Sequence, residues 1–372
     1  MSGPVDCDLL TGYLGSGKTT LLNAWLRSPA SAGTAVVVNE IGDIGIDQLV
    51  LAQLSDNVTL LESGCLCCTL SGALRETLLD LCAMARARGM ALRRIVIETT
   101  GLAEPLPVLH ALLGDRALSD AVRLNQVIAT LDGEQGRRQL ATRPESLRQL
   151  AVAEKVVLTK PDLVSPPELA ALRATVTAVN PNALIHESVA GDAAEAVFGT
   201  GAGQAQRQAV LNAMAGGRNA GAGGGGHAPH APNDRHDPHA GREHGLRHAA
   251  HAGASSLSFY IDHTIPWAGL AAWWHLVSGL YGHDLLRCKG LLRMRDTDRP
   301  FVFMQTVGTV FHRPDPVERW PDADPRSRLV CIGVGLDPDW LARSLAALRI
   351  DEPGARPGSL ADLSHFVPSC LE

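Results

Sequence analysis

Two short stretches of the chain carry residue types that can do chemistry. The first, Gly12-Tyr13-Leu14-Gly15-Ser16-Gly17-Lys18-Thr19, has the spacing G-x-x-x-x-G-K-[ST]. Its glycines let successive backbone N–H groups curl round phosphate oxygens, and a helix starting there adds its positive end. Lys18 then reaches the β- and γ-phosphates of a nucleoside triphosphate, and the Thr19 hydroxyl is offered to Mg²⁺. The second stretch, Gly64-Cys65-Leu66-Cys67-Cys68, places three of the eight cysteines within four residues. Three thiolates suit Zn²⁺ or another borderline-soft ion and leave at least one tetrahedral position open. A closed structural zinc site usually draws on two separated C-x-x-C pairs, so the tight spacing reads as an exposed, exchangeable site. A redox pair, buried thiols and a fold-stabilising zinc are the competing readings.

Three further segments supply what a triphosphate site needs. Ile95-Val96-Ile97-Glu98 ends an apolar run on an acid, the place from which a carboxylate supports Mg²⁺, directly or through water. Residues 39–47, glycine-broken and acidic, suit a switch loop. Thr159-Lys160-Pro161-Asp162 follows a β-branched run. There, the Asp162 carboxylate can accept from N1–H and the 2-amino group of guanine, a donor pair that adenine lacks, while the Lys160 stem lies over the base. A metal loop beside a γ-phosphate sensor lets nucleotide state change metal affinity, a linkage between two ligands.

The elements that must position these groups alternate in type. Strands are expected at 5–10, 34–38, 58–61, 94–98, 124–131, 155–159 and 183–187, with helical patterns at 19–27, 70–88, 105–113 and 166–179. Strands separated by helix-length segments predict right-handed crossovers and a mainly parallel sheet, with ligands at the C-terminal ends of its strands. This places the phosphate loop and the cysteines on one edge of an α/β P-loop NTPase domain spanning residues 1–212. Composition breaks near 213: seven glycines fall between 216 and 226, and seven histidines between 227 and 251. Residues 213–254 therefore read as a disordered linker, whose imidazoles either hold Zn²⁺, Co²⁺ or Ni²⁺ weakly or merely solvate the chain. Order returns in a smaller α+β domain, 255–372, with strands expected at 257–262, 301–311 and 329–334, a helix carrying Trp267, Trp273 and Trp274, and a closing helix at 340–348.

Composition narrows the class. The 372 residues leave room for two or three domains, and 45% hydrophobic residues can build their cores. A formal charge of −6 and 4% aromatics argue against a nucleic-acid binder that works by bulk charge or base stacking. No apolar run approaches a membrane span, and the opening MSGPVDCDLL lacks the basic and apolar regions of a signal peptide, so a cytoplasmic protein is expected.

Five motifs in order resemble the CobW-type metallochaperone GTPases, relatives of the nickel chaperones of urease and hydrogenase maturation. They are G-x-L-G-S-G-K-T-T-L-L at 12–22, E-x-G-x-x-G-I-D at 40–47, G-C-x-C-C at 64–68, E-T-T-G-L-A-x-P at 98–105 and T-K-x-D at 159–162. Arg287-Cys288-Lys289-Gly290 resembles a motif of the family's C-terminal domain. The resemblance implies GTP held by Gly12, Gly15, Ser16, Gly17, Lys18, Thr19, Thr20, Thr159, Lys160 and Asp162. It implies zinc, or Co²⁺, at Cys65, Cys67 and Cys68, and Mg²⁺ at Thr19 and Glu98, with Lys18, Glu98 and Glu40 serving GTP hydrolysis. The partners implied are a client apo-metalloprotein and, in one arrangement, a second copy of the chain, with neither nucleic acid nor membrane. The chain departs from the common pattern at Asp43, where Glu is expected, at Glu104, where Asp is usual, and at Thr159, where Asn is typical. A cobalt chaperone for cobalamin synthesis, a passive metal buffer and a small-molecule kinase are the rival functions.

Overall fold

A computed structural model describes residues 3–39, 49–51, 59–61, 70–199, 247–251, 254–295, 297, 299–312 and 314–351. The N-terminal part runs β1 (Val5–Gly12), α1 (Lys18–Leu26), β2 (Thr34–Asn39), β3 (Leu49–Leu51), β4 (Thr59–Leu61), α2 (Leu70–Ala87), β5 (Arg94–Thr99), α3 (Pro105–Gly114) and α4 (Arg116–Ala121). It continues through β6 (Val122–Asp132), α5 (Gly136–Thr142), α6 (Pro144–Val152), β7 (Lys155–Thr159), α7 (Pro166–Val179), β8 (Leu184–Ser188) and α8 (Ala194–Phe198). The C-terminal part comprises β9 (Arg247–His251), β10 (Ala254–Ile261), α9 (Trp267–Tyr281), β11 (Leu285–Arg293), β12 (Phe301–Val307), β13 (Val310–Phe311), β14 (Asp315–Pro316), β15 (Ser327–Val334) and α10 (Pro338–Ser344). A 3₁₀ turn, Leu345–Arg349, follows.

The first sheet has the order β2-β5-β1-β6-β7-β8 and every pairing in it is parallel. Its strands are apolar on both faces: Ile95, Val96 and Ile97 on β5, and Val156, Val157 and Leu158 on β7, are fully buried. That is the pattern of a parallel sheet covered by helices on both sides. The α/β P-loop architecture read from the alternation is the one observed. Of the run 58–61, expected as a strand of this sheet, the described residues Thr59–Leu61 instead pair as β4 with β3 in a separate two-stranded antiparallel ribbon. An apolar run signals a strand but not the sheet it joins.

The second sheet has the order β13-β12-β11-β15-β10-β9, with β14 added beside β12. Alternation along β11 sends Cys288 and Leu292 toward Trp273, Trp274 and Val277 of α9. Leu291 of β11, with Phe303, Val307, Val330 and Ile332, packs on the other face against Leu106, Leu109 and Val152 of the first domain. The two domains thus share an apolar core. Three local expectations change. β11 was not foreseen. The run 301–311 is two strands turning at Gly308, whose φ is +54°. Residues 247–251, read as linker, form the edge strand β9, with His248 opposite Leu257. An edge strand is held by main-chain hydrogen bonds and needs no apolar alternation of its own to announce it. No helix among the described residues is long and apolar enough to cross a membrane.

Candidate functional site

The site lies at the C-terminal end of the parallel sheet, where β1 breaks into the glycine loop. Gly12 ends the strand at φ +143°, and a Cβ there would sit 2.3 Å from Thr130 Oγ1 and 2.7 Å from Ser16 Oγ. Any side chain would push the loop off β6. Gly17, at φ +88°, starts α1 without a side-chain cap, and the first turn of α1 contains no acid. Its N–H groups are therefore left for an anion. Ser16 Oγ bonds Thr130 Oγ1 at 2.6 Å, and Thr159 Oγ1 donates to the Ser16 carbonyl at 2.9 Å. The loop is stitched to the ends of β6 and β7.

Lys18 is buried, and its Nζ donates to the carbonyls of Gly12 (2.8 Å) and Tyr13 (3.2 Å). Burial draws its pKa below the usual lysine value, with Glu98 opposing that shift. Thr19 Oγ1 donates to Glu98 Oε1 at 2.7 Å, joining residues 79 positions apart. Parallel pairing explains the meeting, because Glu98 lies beside Leu10 of β1 and Val38 of β2. A hydroxyl and a carboxylate converging beneath the loop are the hard oxygen donors that Mg²⁺ takes, so the residues present fit that ion. Thr20, expected to touch nucleotide, is exposed on the same helix. Gly101, at the end of the E-T-T-G motif, lies against the loop: a Cβ there would be 2.4 Å from the Leu14 nitrogen.

Lys160 adopts the left-handed conformation, φ +54°, and its Nζ donates to Asp132 Oδ2 at 2.5 Å and to the Gly15 carbonyl at 3.1 Å. Asp132 is buried at the end of β6, and its Oδ1 accepts from the N–H groups of Glu134 and Gln135. Asp162 is exposed in the turn that follows. The Lys160 stem is thus anchored between the phosphate loop and the β6 end, with Asp162 exposed at the rim. Sequence reasoning missed Asp132 and Thr130. The signal available was the Asp132-Gly133 turn directly after an apolar strand.

Glu40, Asp43, Cys65, Cys67 and Cys68 lie outside the described residues, as does most of the histidine-rich tract. Among the described residues no group of three or more His, Cys, Asp or Glu side chains is arranged to hold a metal ion. Cys7, Cys82, Cys288 and Cys331 are buried free thiols.

Residues 7–187 match the model of the CobW/HypB/UreG nucleotide-binding domain, and residues 254–349 match that of the cobalamin synthesis protein CobW C-terminal domain. The chain is 31% identical over 189 residues to the zinc chaperone YjiA of Escherichia coli, covering 51% of this chain and 59% of that protein. It is 32% identical over 195 residues to the zinc-regulated GTPase metalloprotein activator 1 of Schizosaccharomyces pombe, covering 50% and 46%. To the zinc chaperone CobW of Pseudomonas aeruginosa it is 32% identical over 207 residues, covering 47% and 54%. The chain thus spans about half the length of the curated relatives it matches. A crystal structure of the zinc-bound YjiA GTPase of E. coli superposes with a TM-score of 0.62 at 24% identity, over 94% of this chain and all of that one, and shares the fold. The chain belongs to the CobW family, within the CobW/HypB/UreG nucleotide-binding proteins.

Proposed function

We propose that this chain is a GTP-hydrolysing metallochaperone that binds zinc at Cys65, Cys67 and Cys68 and passes it to a client metalloprotein in a nucleotide-dependent step. The observation that carries the reading is the Thr19–Glu98 contact beneath a glycine loop whose lysine rests on neutral carbonyls. In this reading the phosphates lie along residues 12–19 and Lys18 exchanges its carbonyl partners for β- and γ-phosphate oxygens. Thr19 and Glu98 would hold Mg²⁺, Glu98 directly or through water, and the ion would supply charge neutralisation at the phosphates. Asp162 accepts from guanine while Asp132 and the Gly15 carbonyl keep Lys160 in place beside it. Glu40 serves catalysis from the switch segment, and the nucleotide state sets the metal affinity of Cys65, Cys67 and Cys68. The relatives' names support zinc over cobalt as the cargo. The working division is a nucleotide domain at 1–212, a glycine- and histidine-rich connection from 213, and a C-terminal domain through 372, acting in the cytoplasm as one copy or two.

The test is zinc affinity by chelator competition on the full chain, with and without Mg²⁺-GTP, beside the Cys65/Cys67/Cys68→Ser triple variant. The expected result is a nucleotide-dependent shift of about tenfold, or about 1.4 kcal/mol of coupling, that the triple variant lacks. Equal zinc affinity in both states would separate the two sites and leave a passive metal binder.

A further inference from the structure

Helix α6 contributes nothing to the phosphate cradle, yet one of its side chains reaches the segment that presses on it. Gln149 is 1% exposed, and its Nε2 donates to the carbonyls of Gly101 (3.2 Å) and Ala103 (3.0 Å). These two carbonyls belong to one turn, closed by Ala103 N–H donating to the Thr100 carbonyl at 3.1 Å. The turn is sandwiched, with Gln149 on one side and the backbone of Leu14 on the other, where no Cβ fits at Gly101. Because the peptide unit is planar, holding the Gly101 carbonyl also sets the direction of the Leu102 N–H. Beside this contact, Arg148 on the same helix ion-pairs with Glu104.

The helix that carries Gln149 is a fixed support. Asn180 Nδ2 donates to the carbonyls of Leu150, Ala151 and Ala153, and Arg287 of the C-terminal sheet donates to that of Val152. All four carbonyls from 150 to 153 are therefore engaged by side chains from other elements, and Leu147, Leu150, Ala151 and Val152 are buried. Helix ends with satisfied carbonyls and buried apolar residues do not shift readily. Meanwhile the Oε1 of Gln149 is buried and takes no hydrogen bond from the described residues.

We infer that Gln149 is a positioning residue for the phosphate loop, holding the turn 101–103 against Leu14 so that the loop discriminates a nucleotide that carries a γ-phosphate from one that lacks it. The inference rests on the proposed reading of the chain as a GTPase. Its test compares wild type with Gln149→Met, which keeps length and volume but removes both donors and the acceptor. Steady-state GTP hydrolysis and the affinities for GTPγS and GDP are measured on the full chain, with thermal unfolding as a check on folding. The expected result is a kcat lowered about tenfold with KM nearly unchanged, and a GTPγS-to-GDP affinity ratio moved toward one. A folded variant with wild-type kcat and wild-type affinity ratio would overturn the inference. If the variant does not fold, the Gln149 side-chain amide of wild type, followed by NMR, must shift between the GDP and GTPγS states; an unchanged resonance overturns it. Should wild type turn over no GTP, the hydrolysis reading fails by itself, and the affinity ratio still judges Gln149. A wild type that binds neither nucleotide overturns both.

Discussion

The phosphate-loop end of the sheet and the boundary between the two domains each bury a cation, and they satisfy it in opposite ways. At the loop, Lys18 rests on the carbonyls of Gly12 and Tyr13, while the nearby Glu98 is engaged by Thr19. Both partners of the lysine are neutral, so it can exchange them for phosphate oxygens without abandoning a counter-charge. At the boundary, Arg287 is 2% exposed and binds the Glu154 carboxylate together with the Val152 carbonyl. Glu154 Oε2 in turn accepts from Val127 N–H at 2.5 Å. Burial works to raise the pKa of Glu154, and the Arg287 guanidinium and Lys289 outweigh it, holding the carboxyl below its ordinary value. The lesson is that a buried cation does not by itself mark a ligand site. Neutral partners leave a buried cation able to take up an anionic ligand, whereas a matched carboxylate marks a structural joint.

Glu154→Ala attacks the joint and should have the largest effect. It strands a buried guanidinium, so urea unfolding should show a loss of about 3–5 kcal/mol. A loss below about 1 kcal/mol would put this pair in the class of exposed ion pairs and break the contrast. Lys18→Ala attacks the loop and should separate function from folding. GTP hydrolysis should fall roughly 10²–10³-fold with the unfolding midpoint near that of wild type, because no carboxylate loses its partner. Hydrolysis close to wild type would overturn the phosphate-loop assignment.

The smallest effect concerns Lys289, which is 3% exposed one residue beyond Cys288 on the boundary strand. Burial, aided by the Arg287 charge and opposed by Glu154, draws its ammonium down to about 7 from the ordinary 10.5. Between those values the unfolded chain keeps a proton that the folded chain has released, so stability rises as pH rises through this window. Below the window both states are protonated and the burial penalty is fully present. Lys289→Met should therefore flatten the rise, by roughly 1–3 kcal/mol between pH 7 and 10, read as unfolding free energy against pH. An unchanged slope would remove Lys289 from the balance at the joint.

Much of the fold was legible along the chain. The strand expected at 155–159 and the helix at 166–179 coincide with β7 and α7, and β1, β2, β5 and α1 differ from expectation by two residues or fewer at each end. These segments announce themselves because parallel strands buried on both faces must be continuously apolar, and Pro166 following Ser165 is a strong helix start. Short helices such as α4 and α5, and the strand β11 with Arg287 and Lys289 inside it, gave no such signal. Arg287 and Lys289 look like surface residues until the first domain is packed against their face. The same holds for Asp132, an ordinary strand-ending acid until Lys160 swings back over it.

What the sequence by itself determined is the chemistry that glycine spacing and residue type encode within a few positions. The phosphate loop's glycines, lysine and threonine fall within eight consecutive residues with the helix behind them, so its chemistry is local although its seating on β6 and β7 is not. The tertiary structure alone decided which distant groups serve it. Thr19 meets Glu98 across 79 positions, Lys160 meets Asp132 across 28, and Gln149 meets Gly101 across 48. Those meetings depend on strand order, on the parallel register of β1, β5, β6 and β7 and on the seating of α6. All three are set by burying apolar faces distributed over the whole chain, and no short window of sequence contains that information.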